Sequence, residues 1–278
     1  MFVQWGSTLP DAGFSSLLAG GGRGLATGLL VAMALTMVRY SGVRMSGRLA
    51  AVPVTSAPAL AWIGHDRGAA FAAEAALASL HATGLTAIFI LAYGLLASRY
   101  VRAVTLCLAV ASALAVGVIT SDCARSLAGA AVFSALAIAG ALHCLPADRA
   151  APAPRTARAV DCLISASVCG CMTFLVSVGS QQLSAQWCGL ITAMPLVGIS
   201  TLWYVHGRST PGTLRLFLRA YAGGMLAKAV FISALVISLP TWGLARGWAS
   251  AVACAAALLL WPALVRRMKS VAFSKEMR

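Results

Sequence analysis

Charge is scarce in this sequence, and negative charge is scarcest. Lysine, arginine, aspartate and glutamate together make up 10% of the 278 residues, and only seven residues are acidic. A water-soluble domain carries about 25% charged residues, so there are too few polar side chains here to clothe a surface in water. The usual catalytic signatures are missing as well. There is no HExxH, no GxSxG and no Walker lysine loop, and Asp66, Asp122, Asp148 and Asp161 all fall near span ends or in loops rather than pairing inside the membrane. Nothing resembles a selectivity filter. An enzyme is therefore not expected, nor is a cofactor. The eight cysteines include no CxxC, and Cys169 and Cys171 would point about 200° apart on a helix, which suits neither a metal nor a disulfide. They read as small buried hydrophobes.

Hydrophobicity is abundant. The apolar residues reach 60% of the chain and mean hydropathy is +0.87. They fall into runs near the ~20 residues that a membrane-spanning helix needs. Nine candidate spans follow: 25–38, 49–63, 69–98, 101–120, 127–145, 159–178, 187–205, 216–239 and 241–265. The expected fold is all-α, a polytopic helix bundle whose main partner is the lipid bilayer. Residues 1–24 lack the basic start of a secretory signal, Arg23 being the first basic residue, and read as an N-terminal tail. The Pro/Ala-rich, basic stretch 146–158 is too polar to span and reads as a linker. Residues 266–278 read as a basic tail.

The net charge of +14 would point to nucleic acid in a soluble protein. Here the basic residues are scattered between apolar runs instead of forming one patch, and no nucleic-acid partner is expected. Their distribution sets orientation instead. Arg39, Arg44, Arg48, Arg99, Arg102, Arg149, Arg155, Arg158, Arg208, Arg215, Arg219, Arg266, Arg267, Lys269, Lys275 and Arg278 share one side; Arg23, Arg67, Arg125 and Arg246 share the other. That bias places the N-terminus outside and the C-terminus in the cytoplasm. Trp62, Trp187, Trp242 and Trp248 lie near outer span ends and Tyr40, Tyr100, Trp203 and Tyr204 near inner ones, where such rings prefer to sit. An Ala/Arg-rich, Lys-poor composition fits a bacterium of high-GC genome, so the expected membrane is a bacterial inner (plasma) membrane.

An internal repeat organises the spans. Trp62, His65 and Arg67 coincide with Trp203, His206 and Arg208 at an offset of 141 residues. Each pattern ends a short apolar segment containing proline (Pro53 and Pro58; Pro195), and each precedes a long apolar helix with glycine near its middle. Residues 25–120 form one four-helix repeat and 159–265 the other. A single linking span (121–145) makes the second repeat begin on the opposite side of the membrane. Inverted repeats of this kind underlie many secondary transporters.

The segment from Gly189-Leu190 through Pro195-Leu196 to His206-x-Arg208 resembles the GlpM-type bacterial inner-membrane proteins, small four-helix proteins associated with alginate production. This chain differs from them in being a fused pair with an extra helix. The resemblance implies an accessory or scaffold role in envelope or polysaccharide assembly. The plan of two inverted four-helix units is also similar to that of the small-multidrug-resistance and other drug/metabolite transporters, although the first span has no counterpart of their glutamate. A small-molecule transporter and an accessory protein both stay open, as does a homo-oligomer or an envelope-assembly partner.

Ionisable groups inside spans usually face a cavity or a partner. Lys228 and His81 fall near the middle of corresponding spans, and Glu74 lies seven residues before His81. They are the candidates for attracting an anionic or zwitterionic substrate, with Glu74 as counter-charge. Pro53, Pro58 and Pro195 join them, because short or interrupted segments in corresponding halves point to a transporter site.

Overall fold

Helix-breaking residues decide how the apolar runs are divided. The computed structural model describes residues 14–40, 42–145, 159–179 and 182–276, and these contain helices and turns but no strand. The linker 146–158 and most of the expected N-terminal tail lie outside the described residues. In chain order the helices are α1 (Phe14–Tyr40), α2 (Val43–Ala50), α3 (Ser56–Leu96), α4 (Arg102–Ile119) and α5 (Leu127–Cys144), then α6 (Ala159–Gly179), α7 (Ala185–Ala193), α8 (Leu196–Arg208) and α9 (Pro211–Glu276). A short 3-10 turn at Ser121–Arg125 joins α4 to α5. Helix α1 begins inside the stretch read as tail, because Phe14–Arg23 continues the apolar helix.

Seven stretches among the described residues are long and apolar enough to cross a membrane. Nine spans were expected, and the difference has a local cause. Helix α3 has 41 residues, about 60 Å of helix, twice the thickness of a hydrocarbon core. It is folded at Gly68, whose φ of 86° is a left-handed conformation that only glycine adopts freely. Gly243, with φ 71°, folds α9 in the same way. Expected spans two and three thus share one continuous helix with a one-residue corner, and so do spans eight and nine. Span two is itself divided: α2 stops at Ala50, and α3 starts only at Ser56.

Close glycine contacts give the helices their directions. A Cβ on Gly24 would lie 2.8 Å from the Gly170 carbonyl oxygen; Gly20 lies against Phe174 and Val178, and Gly28 against Ala166. Ascending numbers in α1 therefore meet descending numbers in α6, and the two run antiparallel. In α2, Gly47 abuts Phe217 and Ala220 of α9; in α7, Gly189 abuts Ala75 and Ala78 of α3. These two contacts are related residue by residue at a displacement of 142: Gly47 with Gly189, Ala75 with Phe217, Ala78 with Ala220. Pro53 and Pro195 stand at the same displacement. The tryptophan–histidine–arginine motif keeps its offset of 141. The missing residue is recovered after it, where α8 and α9 are joined by Ser209 and Thr210 while α3 turns at Gly68 alone.

Helices α3 and α9 form the centre. Tyr93, Ile90, Phe217 and Leu218 are buried in one cluster, and Leu80, Leu60, Ile232 and Leu235 in a second. The outward side chains of α4, α5 and α6 are also apolar: Val118, Leu136 and Leu163 are among the most exposed large hydrophobics. A surface of this kind belongs in lipid, where helix association relies on close packing of small residues.

Substituting the contact glycines tests this packing. An alanine at Gly189 would place its Cβ 2.1 Å from the Ala75 carbonyl oxygen, whereas Gly223 has open space around it. Gly189→Ala is expected to destabilise by about 1–3 kcal/mol through overpacking. Gly223→Ala should instead stabilise by up to about 1 kcal/mol through helix propensity. Thermal unfolding of both variants in detergent checks the opposite signs.

Candidate functional site

The two helix breaks are built from the same ingredients. At the first, the chain leaves α2, turns through Ala51–Thr55 and re-enters helix at Ser56; the Pro53 carbonyl accepts from the Ala57 N–H at 2.8 Å. Pro58 sits in the first turn of α3, where a proline's missing N–H leaves no gap in the helix ladder. At the second, α7 ends at Ala193, Met194 and Pro195 turn the chain, and α8 begins at Leu196, with the Pro195 carbonyl accepting from Ile199 at 2.7 Å.

Both breaks line one small cavity of about 10 Å³. Thr55 and Ala59 face it from the first break, Thr192, Met194 and Leu196 from the second, and Cys169, Met172 and Thr173 from α6. The volume is near the minimum that holds one water, and the pocket is not sealed, since Met194 in its wall is 50% exposed. Two hydroxyls here are committed: Thr192 donates to the Gly189 carbonyl at 3.0 Å and meets Ser79 Oγ at 3.1 Å, and Thr173 donates to Cys169. Outside the pocket lining, other hydroxyls are not. Ser56 Oγ, at the start of α3, and Thr27 Oγ1, on α1, are buried without a hydrogen-bond partner among the described residues. Orphaned buried hydroxyls are uncommon in folded proteins.

A larger cavity of about 290 Å³ adjoins the second break, between α3, α4, α7 and α8. Its walls are apolar. The one hydroxyl side chain in them, Thr86, donates to the Ala82 carbonyl of its own helix at 2.9 Å.

The residues singled out in the sequence take different places. Pro53 and Pro195 shape the breaks that meet, and Pro58 starts the helix after the first. Lys228 is 8% exposed and makes no hydrogen bond or ion pair among the described residues. Gly224, one turn before it on the same face, lies against Arg48 and Ala51 at the end of α2, which puts Lys228 level with the first break. His81 is also buried but faces elsewhere. Its Nε2 lies 3.0 Å from Thr120 Oγ1 and its ring packs on Phe133. Because Thr120 donates its proton to Val116 at 2.8 Å, the imidazole is the donor in that pair. His81 is thus turned toward α4 and α5, whereas Lys228 faces α2. Glu74 is exposed, because α4 ends at the level of His81, two turns short of it. The structure does not bring these three ionisable groups together.

Two clusters at opposite ends of the bundle were not legible as sites. At one end the Arg23 guanidinium grips both carboxylate oxygens of Asp66, donates to Ser177 Oγ at 2.9 Å and lies over the Trp62 ring. This ties α1, α3 and α6. At the other end Tyr93 Oη meets His206 Nδ1 at 2.8 Å, and Arg102 stacks over Trp203 at 4.4 Å. The repeated motif held the signal for both clusters, since Trp62, Trp203 and His206 belong to it, but sequence spacing could not name Arg23 or Tyr93 as partners.

The long apolar helices and their apolar outer surface define a multi-pass integral membrane protein. Comparison with protein-family models, with curated proteins and with solved structures finds no match to this chain.

The Arg23–Asp66 pair is only partly exposed, so breaking it should be felt. Asp66→Asn is expected to destabilise by about 1–3 kcal/mol. In a double-mutant cycle with Arg23→Gln, the second substitution should cost much less once the first is made. Additive losses would show that the two side chains do not act as a pair.

Proposed function

We propose that this protein is a secondary transporter of a small molecule, working by alternating access in a bacterial inner membrane. The observation that carries the reading is the meeting of two broken spans, Pro53 in one and Pro195 in the other, at one small pocket against α6. Irregular backbone inside a membrane is tolerated where it is buried in protein or lines a cavity. Transporters place their substrate between discontinuous helices of this sort.

Inverted repeats are part of the same proposal. The contact of α2 with α9 and that of α7 with α3 correspond at 142 residues, and the α1–α6 contact corresponds with itself, Gly24–Gly170 matching Ala166–Gly28. Those α1 and α6 partners run antiparallel, which is what two halves of opposite orientation require. Nine crossings follow if α2 with the first limb of α3 counts as one, and α7 with α8 as another. The Arg23–Asp66 contact supports that count, because the chain passes down α1 and returns at Asp66 to the level where Arg23 sits. The sixteen-to-four bias of basic residues supports an outside N-terminus and a cytoplasmic C-terminus.

In this reading the two end clusters are alternate closures. Opening the cavity toward the Asp66 end parts Arg23 from Asp66 and Ser177; opening it toward the other end parts Tyr93 from His206.

Accessibility tests this without knowledge of the substrate. In a chain with its native cysteines replaced, Thr55→Cys and Thr192→Cys are expected to react with a membrane-impermeant thiol reagent added from either side. Reporter fusions after Gln182 and within 146–158 should lie on opposite sides of the membrane. Labelling from one side only, or from neither, defeats alternating access and moves the protein to the accessory reading.

A further inference from the structure

We infer that Lys228 and the start of α3 form a binding site for an anionic group, of carboxylate or phosphate class, on the molecule that this protein carries. The inference rests on the transporter reading and adds the substrate's charge to it.

Lys228 is the starting point. Its side chain is more than nine-tenths buried, and no acceptor is bonded to it among the described residues. Three carboxylates whose side chains are described do not serve it: Asp66 is held by Arg23, Asp122 lies beside Arg125, and Glu74 is exposed. A buried ammonium without a counter-charge is strongly unfavourable. An anion arriving at the site removes that penalty, whereas a neutral or cationic molecule does not.

The surroundings supply the remaining groups. Level with Lys228, α2 ends and α3 begins, so one face of the break carries the negative end of a helix and the other the positive end. The carbonyl end of α2 favours holding the lysine charged at this level. The opening turn of α3 favours an anion, and it carries Ser56, whose hydroxyl is 1% exposed and has no partner. Ammonium, orphan hydroxyl and helix start thus belong to elements that come level at one break.

The corresponding position in the other half sharpens the point. At the displacement of 142, Lys228 matches Thr86 and Phe231 matches Phe89. Thr86 keeps its hydroxyl on its own helix and faces the apolar cavity beside the second break. Similar backbone therefore surrounds a cation on one side and hydrocarbon on the other, so the charge of Lys228 is not a requirement of the fold.

Depth selects the source of the anion. Along α9, Lys228 is about 25 Å from Pro211 and about 22 Å from the Gly243 corner. A phosphate in the headgroup layer lies at the ends of such a helix, so the anionic group belongs to a soluble molecule that reaches the first break and not to a bilayer lipid.

The full-length protein in phosphatidylcholine nanodiscs provides the test. Its thermal midpoint is measured in acetate, succinate and inorganic phosphate, each against chloride at equal ionic strength. At least one of the three should raise the wild-type midpoint by about 2 °C or more. Lys228→Arg should keep the rise and Lys228→Met should abolish it. Lys228→Met is expected to fold, because it removes an uncompensated charge. Ser56→Ala should reduce the rise with its midpoint in chloride unchanged, and it stands in if the methionine variant fails to fold. Equal responses of wild type and variants to all three anions overturn the site. A Lys228-dependent rise produced by phosphatidylglycerol in the disc, with none from soluble anions, overturns it as well. One-sided cysteine labelling together with a Lys228-dependent rise defeats alternating access and leaves the anion site standing. Two-sided labelling without the rise does the reverse.

Discussion

Backbone hydrogen bonding in hydrocarbon is the constraint from which the architecture follows. A peptide group that leaves a helix inside a bilayer has no water to replace its lost partner. Two departures from helix interrupt apolar stretches of this chain, at residues 51–55 and at Met194–Pro195. Such an interruption is tolerated where protein covers it. The arrangement covers the breaks in part: they lie against each other and α6, Val52 and Met194 stay exposed, and α2 and α7 lie along the long helices α9 and α3. Local i to i+4 bonds at Pro53 and Pro195 recover part of the ladder. At the second break Thr192 and Ser79 both donate to the Gly189 carbonyl, whereas Ser56 at the first keeps a buried hydroxyl without a partner among the described residues.

Close approach makes that shielding feasible. Lipid gives apolar side chains no reason to prefer one another, so the short helices are held by packing and by hydrogen bonds between helices. Gly47 and Gly189 let α2 and α7 settle onto the backbones of α9 and α3, and Ser79 donates to the Gly189 carbonyl across the second of these contacts at 2.8 Å. Ser134 does the same for α5, donating to Leu80 at 2.6 Å. Larger side chains at the glycines would hold the short helices off and leave the breaks facing lipid.

Much of this was legible in sequence because hydropathy and proline act locally. The apolar runs located the helices, and Pro53 and Pro195 marked the interruptions. The charged end of each motif marked where a span should stop, though at Arg67 the helix turns a corner at Gly68 instead of ending. A single glycine in left-handed conformation leaves no loop for composition to reveal, which is why nine expected spans appear as seven continuous stretches. What could not be read depends on which face each helix turns inward. Glu74 and His81 share a face by spacing, yet one is exposed and the other buried, because the neighbouring α4 stops at Thr120. Arg23 sat at the edge of an apparent tail, and only the fold brings it to Asp66, 43 residues away. The tryptophan–histidine–arginine motif is offset by 141, but the packing contacts correspond at 142, and the difference lies in a connection that is one residue longer before α9 than at Gly68.

The glycine corners also have a mechanical meaning. One residue can swivel but cannot stretch, since successive Cα atoms stay 3.8 Å apart. A loop would absorb a displacement of one limb; a corner at Gly68 passes it on to the other as rotation. The limbs of α3 are unequal, about 18 Å for residues 56–67 and about 42 Å for residues 69–96. A swivel of about 10° at the corner would therefore move the far end of the long limb by about 7 Å. The short limb carries the first break and the long limb ends beside Tyr93 and His206, so the single residue between them fixes the distance of the two limbs while leaving their angle free.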